Sequence, residues 1–205
     1  MKGFSIDGII KTALERGIKN LLPVFVNTVL WIITIWIPYL NVGTTIGMTA
    51  GVVAKMSRGE TIAMTEIFNP QYRKRMGEFF LVVGFMFLGI FAGFIFFIIP
   101  GYVISLSWSL APLLVVDKMM NPIDAIHKSN SLTYGKKWTI FFGLLTVGLC
   151  GVIALGIVFW IFALLLNKIG IVGSILLALL YITGYAVFIS IQMAAMSYIY
   201  GKLAK

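Results

Sequence analysis

Residues that usually carry enzyme chemistry are scarce in this chain. Its 205 residues include one histidine, one cysteine and seven acidic residues. His127 has no clustered donors near it in the sequence, and metal sites need several, so it is interpreted as a surface or interface residue. No pair of carboxylates, no serine–histidine–aspartate set and no nucleophile with an adjacent base occurs at a spacing that suits catalysis. We therefore expect a protein that is not an enzyme, with no catalytic, cofactor or metal site.

A single cysteine also limits the covalent chemistry. Cys150 excludes any disulfide within the chain, and its place inside an apolar run predicts that it packs as a small hydrophobic residue. The glycines do not form a phosphate-binding loop, because the chain contains no GxxxxGK[ST] run.

Charge is nearly absent from the apolar runs and is concentrated between them. Charged residues make up 11% of the chain and hydrophobic residues 60%, which excludes an ordinary soluble domain. Fifteen of the sixteen Lys and Arg residues fall in segments 2–19, 55–75, 118–137 and 202–205, and only Lys168 lies elsewhere. Since basic segments stay in the cytoplasm, this pattern predicts an integral membrane protein with both termini inside. We assign the net charge of +9 to anionic lipid headgroups and not to nucleic acid.

Six apolar passages lie between these segments. They run over about 21–38, 42–56, 79–98, 102–116, 138–166 and 171–200. The second is short for the roughly 20 residues that a spanning helix requires. Pro100 and Gly101 are predicted to form a minimal outer turn between the third and fourth passages. The predicted fold is an all-α polytopic membrane bundle of about six transmembrane helices, forming one domain over residues 1–205.

Short helices are predicted on the cytoplasmic side. Residues 1–20 repeat apolar positions at helical spacing opposite a ladder of charges, which is typical of an amphipathic helix on the inner leaflet. The alternative is a solvated extension of the first span. Segments 57–76 and 121–137 are expected to be cytoplasmic interfacial segments, because residues 57–60 and 121–124 resemble the capping patterns that begin helices.

Basic residues of these segments are expected to bind lipid headgroups, which attract each cation by about 1 kcal/mol. They are Lys55, Arg58, Arg73, Lys74, Arg75, Lys136 and Lys137. An offset of 62 residues pairs Lys74 with Lys136 and Gly89 with Gly151, which indicates either a parallel repeat or the chance similarity of segments that obey the same topological rules.

Two sets of glycines are predicted to form helix-packing faces. Gly43, Gly47 and Gly51 follow a strict four-residue spacing, and Gly89 and Gly93 repeat it in the third passage. Small residues at this spacing let another helix approach closely. The sequence alone does not identify that helix.

Apart from Lys55, at the cytoplasmic end of the second passage, no charged residue lies inside the predicted spans. Ion-coupled transporters and pumps generally keep such groups in the membrane, because those groups bind the coupling ion. Most of the polar side chains in the spans can bond to their own helix, so packing is the simpler interpretation. The alternative is a polar pore lined by Asn27, Thr45, Ser105 and Gln192.

Several short motifs carry a resemblance to a known group of proteins. The motifs are Ile98–Gly101, Trp108, Ala111 with Pro112, Val116 with Asp117, Ala125, Ser129, Thr133, Arg58–Glu60 and Ile67 with Phe68. They resemble a broad family of bacterial membrane proteins that includes the membrane domain attached to some glycerophosphoryl diester phosphodiesterases. The resemblance implies a six-helix fold of mostly unassigned function and a bacterial inner (plasma) membrane location. Phosphodiesterase chemistry is not implied, because the catalytic domain is missing and the chain has too few His, Asp and Glu residues for its metal site.

Two functions are compatible with these patterns. The first is a non-enzymatic structural or interaction subunit that self-associates as a homo-oligomer or supports a membrane complex, with its basic face on anionic lipid. The second is a passive channel or carrier for a small neutral or amphipathic solute or lipid. The glycine spacing and the lack of charge in the spans favour the first.

Overall fold

The computed structural model describes residues 4–204, apart from the side chain of Asn167, and this part of the chain is helical without strands. Lys2 and Lys205, which belong to the predicted basic segments, lie outside it. The ten α helices are α1 Ile6–Lys19, α2 Leu21–Thr34, α3 Pro38–Ile46, α4 Val52–Arg58, α5 Met76–Phe96, α6 Ile98–Trp108, α7 Ala111–Asp117, α8 Pro122–Thr133, α9 Lys137–Leu166 and α10 Ile171–Leu203. A π-helical segment, Gly47–Gly51, joins α3 to α4, and short 3-10 helices occupy Glu66–Phe68, Pro70–Arg75 and Asn167–Ile169.

Four helical segments within the described residues are long and apolar enough to cross a membrane. They are Pro70–Phe96, Ile98–Asp117, Lys137–Leu166 and Ile171–Leu203. A fifth results if α1 and α2, which are bent by 74° relative to each other, form one broken span. The structure is thus an all-helical protein with four or five candidate spans, and the predicted number of six is not confirmed.

The longest predicted passages match the structure well. The fifth and sixth correspond to α9 and α10, and a short 3-10 helix forms the predicted turn between them. The predicted turn at Pro100 and Gly101 was wrong, because α5 ends at Phe96 and α6 already begins at Ile98. Phe97, in extended conformation, makes the break. Pro100 lies in the first turn of α6, where its missing N–H group is not needed.

One of the two predicted helix starts is confirmed. The Asn121 side chain accepts a hydrogen bond of 3.1 Å from the backbone N–H of Ile123 and caps α8. The start predicted at Ser57 was wrong, because Ser57 lies in the last turn of α4. Gly59 has a φ of 75° and donates its N–H back to the end of α4, so this glycine terminates a helix.

Helix α1 packs against protein along its apolar face. Ile9 and Ala13 are fully buried, and the Ser190 hydroxyl of α10 donates a 2.7 Å hydrogen bond to the carbonyl of Gly17. A Cβ at Gly17 would lie 2.9 Å from Ile191. The predicted amphipathic helix is therefore present and is held on α10, and a bend of 74° separates it from α2.

The main core lies at the end of the molecule where α9 begins and α10 ends, which we name the basal end. Ile140 and Ile199 are fully buried there, together with Leu110 and Val115. Beyond this core the outer halves of α9 and α10 expose apolar side chains such as Trp160. Cys150, which was predicted to pack as a small hydrophobic residue, is also exposed on α9. Such continuous apolar surface is typical of helices that face lipid.

Candidate functional site

A buried ion pair connects α4 to the segment that follows it. Lys55 of α4 donates to Glu66 Oε2 over 2.9 Å, and the hydroxyl of Tyr72 donates to the other carboxylate oxygen over 2.8 Å. The Glu66 side chain is only 3% exposed. Both of its oxygens are therefore paired, as a buried carboxylate requires.

A second cluster also consists of a cation, a carboxylate and a tyrosine, and its cation lies one helical turn after Lys55. The Arg58 guanidinium pairs with Asp117 at the end of α7, and the hydroxyl of Tyr200 in α10 donates to Asp117 over 2.7 Å. The Asp117 side chain is 8% exposed. Arg58 also binds Glu60, which lowers the pKa of that carboxyl, mainly through the hydrogen bond, and raises the pKa of the guanidinium.

The local fold explains why two such clusters lie side by side. Lys55 and Arg58 are three residues apart in α4, so their side chains leave the same face of the helix. The end of α4 is itself held by Arg16 of α1, which donates 3.0 Å to the Met56 carbonyl and 3.3 Å to the Ser197 hydroxyl. A cation at these last carbonyls also complements the helix dipole.

Two polar cavities border the clusters. One, of about 420 Å³, is lined by residues that include Lys55, Arg58 and Arg75, and the other, of about 280 Å³, lies between Ser57, Lys118 and the end of α10. The cations on their walls are matched by carboxylates of the same chain. The arrangement therefore holds four segments of the chain together.

Most of the residues predicted to bind headgroups have partners inside the chain. Besides Lys55 and Arg58, Arg75 donates 3.0 Å to Glu78 and 3.2 Å to the Met119 carbonyl, and Arg73 lies 4.9 Å above the Tyr39 ring. Lys74 and Lys136 are exposed and Lys137 is half-buried. Headgroup binding by these seven residues stays a prediction.

Sequence reasoning missed the acidic and tyrosine members of the clusters. Glu66, Tyr72 and Tyr200 were not singled out, and Asp117 was noted only within a motif. A signal did exist, because Glu66 is an isolated acid beside apolar Ile67 and Phe68, and Asp117 directly follows an apolar passage. Their partners come from distant segments, which the sequence does not reveal.

The glycine faces contact segments of the same chain. A Cβ on Gly47 would lie 2.9 Å from the backbone of Ile67, and one on Gly51 would overlap the Tyr72 ring. Gly43 faces Arg73 in the same way. A Cβ on Gly93 would lie about as close to the backbone of Gly101 in α6, and a Cβ on Gly89 would face the Trp108 ring. Both ridges thus serve close packing within one chain.

The four residues of the predicted pore take part in separate contacts. Asn27 is buried and donates to the Ala63 carbonyl over 2.8 Å, while its oxygen accepts from the N–H of Ile67. Thr45 bonds to Trp31 and Asn41, Ser105 bonds back to Tyr102, and Gln192 faces Gly148. They line neither the two polar cavities nor the apolar cleft described next.

An apolar cleft lies between the outer halves of α9 and α10. Its volume is about 340 Å³, and its walls include Val152, Phe159, Gly156, Tyr181 and Tyr185. The tyrosine hydroxyls are the only polar side-chain groups on these walls. The cleft therefore suits an apolar chain and not a charged solute.

Groups that could hold a metal ion are missing from the described residues, where no three His, Cys, Asp or Glu side chains come together. Neither a family model, nor a curated protein, nor a solved structure matches the chain. The resemblance to the phosphodiesterase-associated membrane domain therefore stays a prediction.

Proposed function

We propose that this protein is a non-enzymatic subunit of a bacterial inner membrane, which self-associates or supports a membrane complex. In this proposal both termini are cytoplasmic, and the basic face rests on anionic lipid. One observation carries the proposal: the buried polar groups of the protein bond to one another, while much of its apolar surface contacts nothing within the chain. Every buried side-chain nitrogen or oxygen among residues 4–204 that the structure describes has a hydrogen-bond partner.

The unused surface is concentrated on α9 and α10. In the most apolar window of α9 no residue is buried, and 17% are buried in that of α10. Since the glycine ridges already contact their own chain, a partner helix would pack on this outer surface. Association in lipid depends on van der Waals contact, which an apolar face of this kind provides.

Native mass spectrometry of the protein in lipid nanodiscs tests this proposal. We expect particles with two or more copies, or with a co-purified membrane protein, and with retained anionic lipid. Leu179→Trp, on the exposed face of α10, should reduce the number of copies or displace the partner. Leu88→Trp, at a similarly exposed position of α5, is the matched control and should leave the particle unchanged. Wild-type particles that hold one copy and no other protein would contradict the proposal.

The apolar cleft favours a second candidate, a passive carrier for an amphipathic solute or lipid. Gly156 has open space around its Cα, so Gly156→Leu should fill part of the cleft without disturbing the fold. A carrier predicts lipid or solute transfer in liposomes that this variant slows. Equal transfer by wild-type protein, the variant and empty liposomes would exclude this function.

A further inference from the structure

Three of the helical hairpins among the described residues, α2/α3, α5/α6 and α9/α10, differ in the chemistry of their tips. The turn between α9 and α10 contains Asn167 and Lys168, as expected for a loop in water or among headgroups. The turn between α5 and α6 is apolar, and Phe97, Ile98 and Ile99 are 76%, 68% and 75% exposed. Such a tip is unfavourable in water, because its exposed surface is hydrophobic on all sides.

The α5/α6 turn leaves the helical conformation at one residue only. Phe97 is its single non-helical residue, and it keeps both backbone hydrogen bonds: its N–H donates to Gly93 over 3.1 Å and its carbonyl accepts from Gly101 over 3.5 Å. Inside a bilayer such internal pairing is required, because lipid offers no partner.

The position of this turn relative to α9 indicates its depth in a bilayer. Tyr102, five residues after Phe97, contacts Phe141 edge to face, with the ring centroids 6.2 Å apart. Phe141 lies in the second turn of α9, at the basal end. From Phe141 to Leu166 there are 25 residues of helix, or about 37 Å at 1.5 Å per residue. Since the hydrocarbon layer is about 30 Å thick, the α5/α6 tip and the α9/α10 turn lie on different sides of it or at very different depths.

Helices α6 and α7 follow one another along the chain, and we name them together the α6–α7 rod. The end of this rod at Asp117 also contacts the basal end. Asp117 accepts its hydrogen bond from Tyr200, which is near the end of α10. Because both Tyr102 and Asp117 contact the basal end of the α9/α10 pair, the rod runs across that pair and not along its full length.

The α2/α3 hairpin also has an apolar tip, and its first helix is short. Helix α2 has 14 residues, or about 21 Å, which is less than the hydrocarbon thickness. Its tip is apolar and aromatic, and Trp36 there is 85% exposed. No charged residue lies between Lys19 and Lys55. This hairpin can enter a bilayer from one side but does not reach the other.

We propose that α2/α3 and α5/α6 are re-entrant hairpins that insert into the bilayer from the basal side only, and that α9/α10 is the one pair that crosses it. The surface that the two hairpins recognise is the acyl-chain layer of the inner leaflet. The proposal replaces the six crossings predicted from the sequence with two, and it leaves both termini on the same side. It does not depend on self-association.

Cysteine accessibility in oriented membrane vesicles tests this placement. In a Cys150→Ser background, single cysteines replace Ile99, Trp36, Lys168 and Met119, all of which are exposed in the structure. A membrane-impermeant maleimide is applied to either face. We expect Lys168→Cys to react from one face only and Met119→Cys from the opposite face. Ile99→Cys and Trp36→Cys should react from neither face, because a thiol in hydrocarbon does not ionise, and should react after solubilisation in detergent.

Two outcomes would overturn the proposal. One is labelling of Ile99→Cys from the same face, and as fast, as Lys168→Cys. The other is labelling of Lys168→Cys and Met119→Cys from the same face. A nitroxide on the Ile99→Cys thiol gives an independent measure of depth: collisions with oxygen but not with a soluble nickel complex are expected, and the reverse would overturn the proposal. Either outcome would leave the particle mass in nanodiscs unchanged. Failure of the re-entrant placement can therefore be distinguished from failure of the proposed subunit function.

Discussion

Tyr200 donates a hydrogen bond to Asp117 from 83 positions further along the chain, over 2.7 Å. This contact joins the end of α10 to the end of α7, and Arg58 extends it to α4. Three segments that are distant in the sequence thus share one nearly buried carboxylate. Because α7 continues the α5/α6 hairpin and α10 belongs to the α9/α10 hairpin, the bond fixes one hairpin against the other.

Removing the Tyr200 hydroxyl should destabilise the protein. Tyr200→Phe leaves one oxygen of Asp117 without this donor, so we expect a loss of about 1–3 kcal/mol in the free energy of unfolding, measured by thermal denaturation in mild detergent. Tyr181→Phe, on the exposed part of the same helix, is the control and should leave the melting temperature unchanged. Equal melting temperatures for both variants would show that the bond contributes nothing.

The Lys55–Glu66–Tyr72 cluster makes a parallel prediction. Glu66→Gln removes the charge that pairs with Lys55, in a site where the Glu66 side chain is 3% exposed. We expect a loss of about 1–3 kcal/mol, reported by the denaturation midpoint. Glu15→Gln, whose side chain is 63% exposed in an ion pair with Lys11, should change stability by less than about 1 kcal/mol. If Glu66→Gln were as stable as Glu15→Gln, the buried ion pair between Lys55 and Glu66 would not stabilise the protein.

A substitution in the glycine ridge of α3 and the π-helical segment is expected to lower stability without changing the number of chains in the particle. Gly47→Ala would place its Cβ 2.9 Å from the Ile67 backbone, so the segment 66–73 must shift and the melting temperature should fall. Gly84→Ala in α5 meets no neighbouring atom and should stabilise the helix by about 0.5–1 kcal/mol. The particle mass should stay the same for both variants. A lower mass for Gly47→Ala alone would mean that the ridge also contacts another chain.

Asn27 is predicted to hold a loop and not to line a pore. Asn27→Leu removes hydrogen bonds to the Ala63 carbonyl and the Ile67 N–H, so we expect about 1–3 kcal/mol of destabilisation. Ser105→Ala, which loses only a bond to its own helix, should be nearly neutral. Neither variant should change solute flux in liposomes. A flux that depends on Asn27 but not on protein stability would support the channel alternative.

Local patterns predicted the longest elements most accurately. Helices α9 and α10 and the turn between them follow from two long apolar runs separated by Asn167 and Lys168, and Asn121 caps α8 as its residue type suggests. Predictions failed where one residue type serves two roles. Gly59 ends a helix instead of following a helix start, and Pro100 lies in the first turn of a helix instead of ending one.

The sequence by itself determined the class of the protein: an all-helical chain with several apolar segments and basic connections. These properties depend on composition and on spacings of a few residues, which the chain carries locally. The tertiary structure alone decided which carboxylate pairs with Lys55 or Arg58, which segment fills the glycine ridges, and where Tyr102 of the α5/α6 hairpin contacts α9. Those properties depend on contacts between segments up to 181 residues apart, and the side-chain packing that selects them exists only in the folded chain.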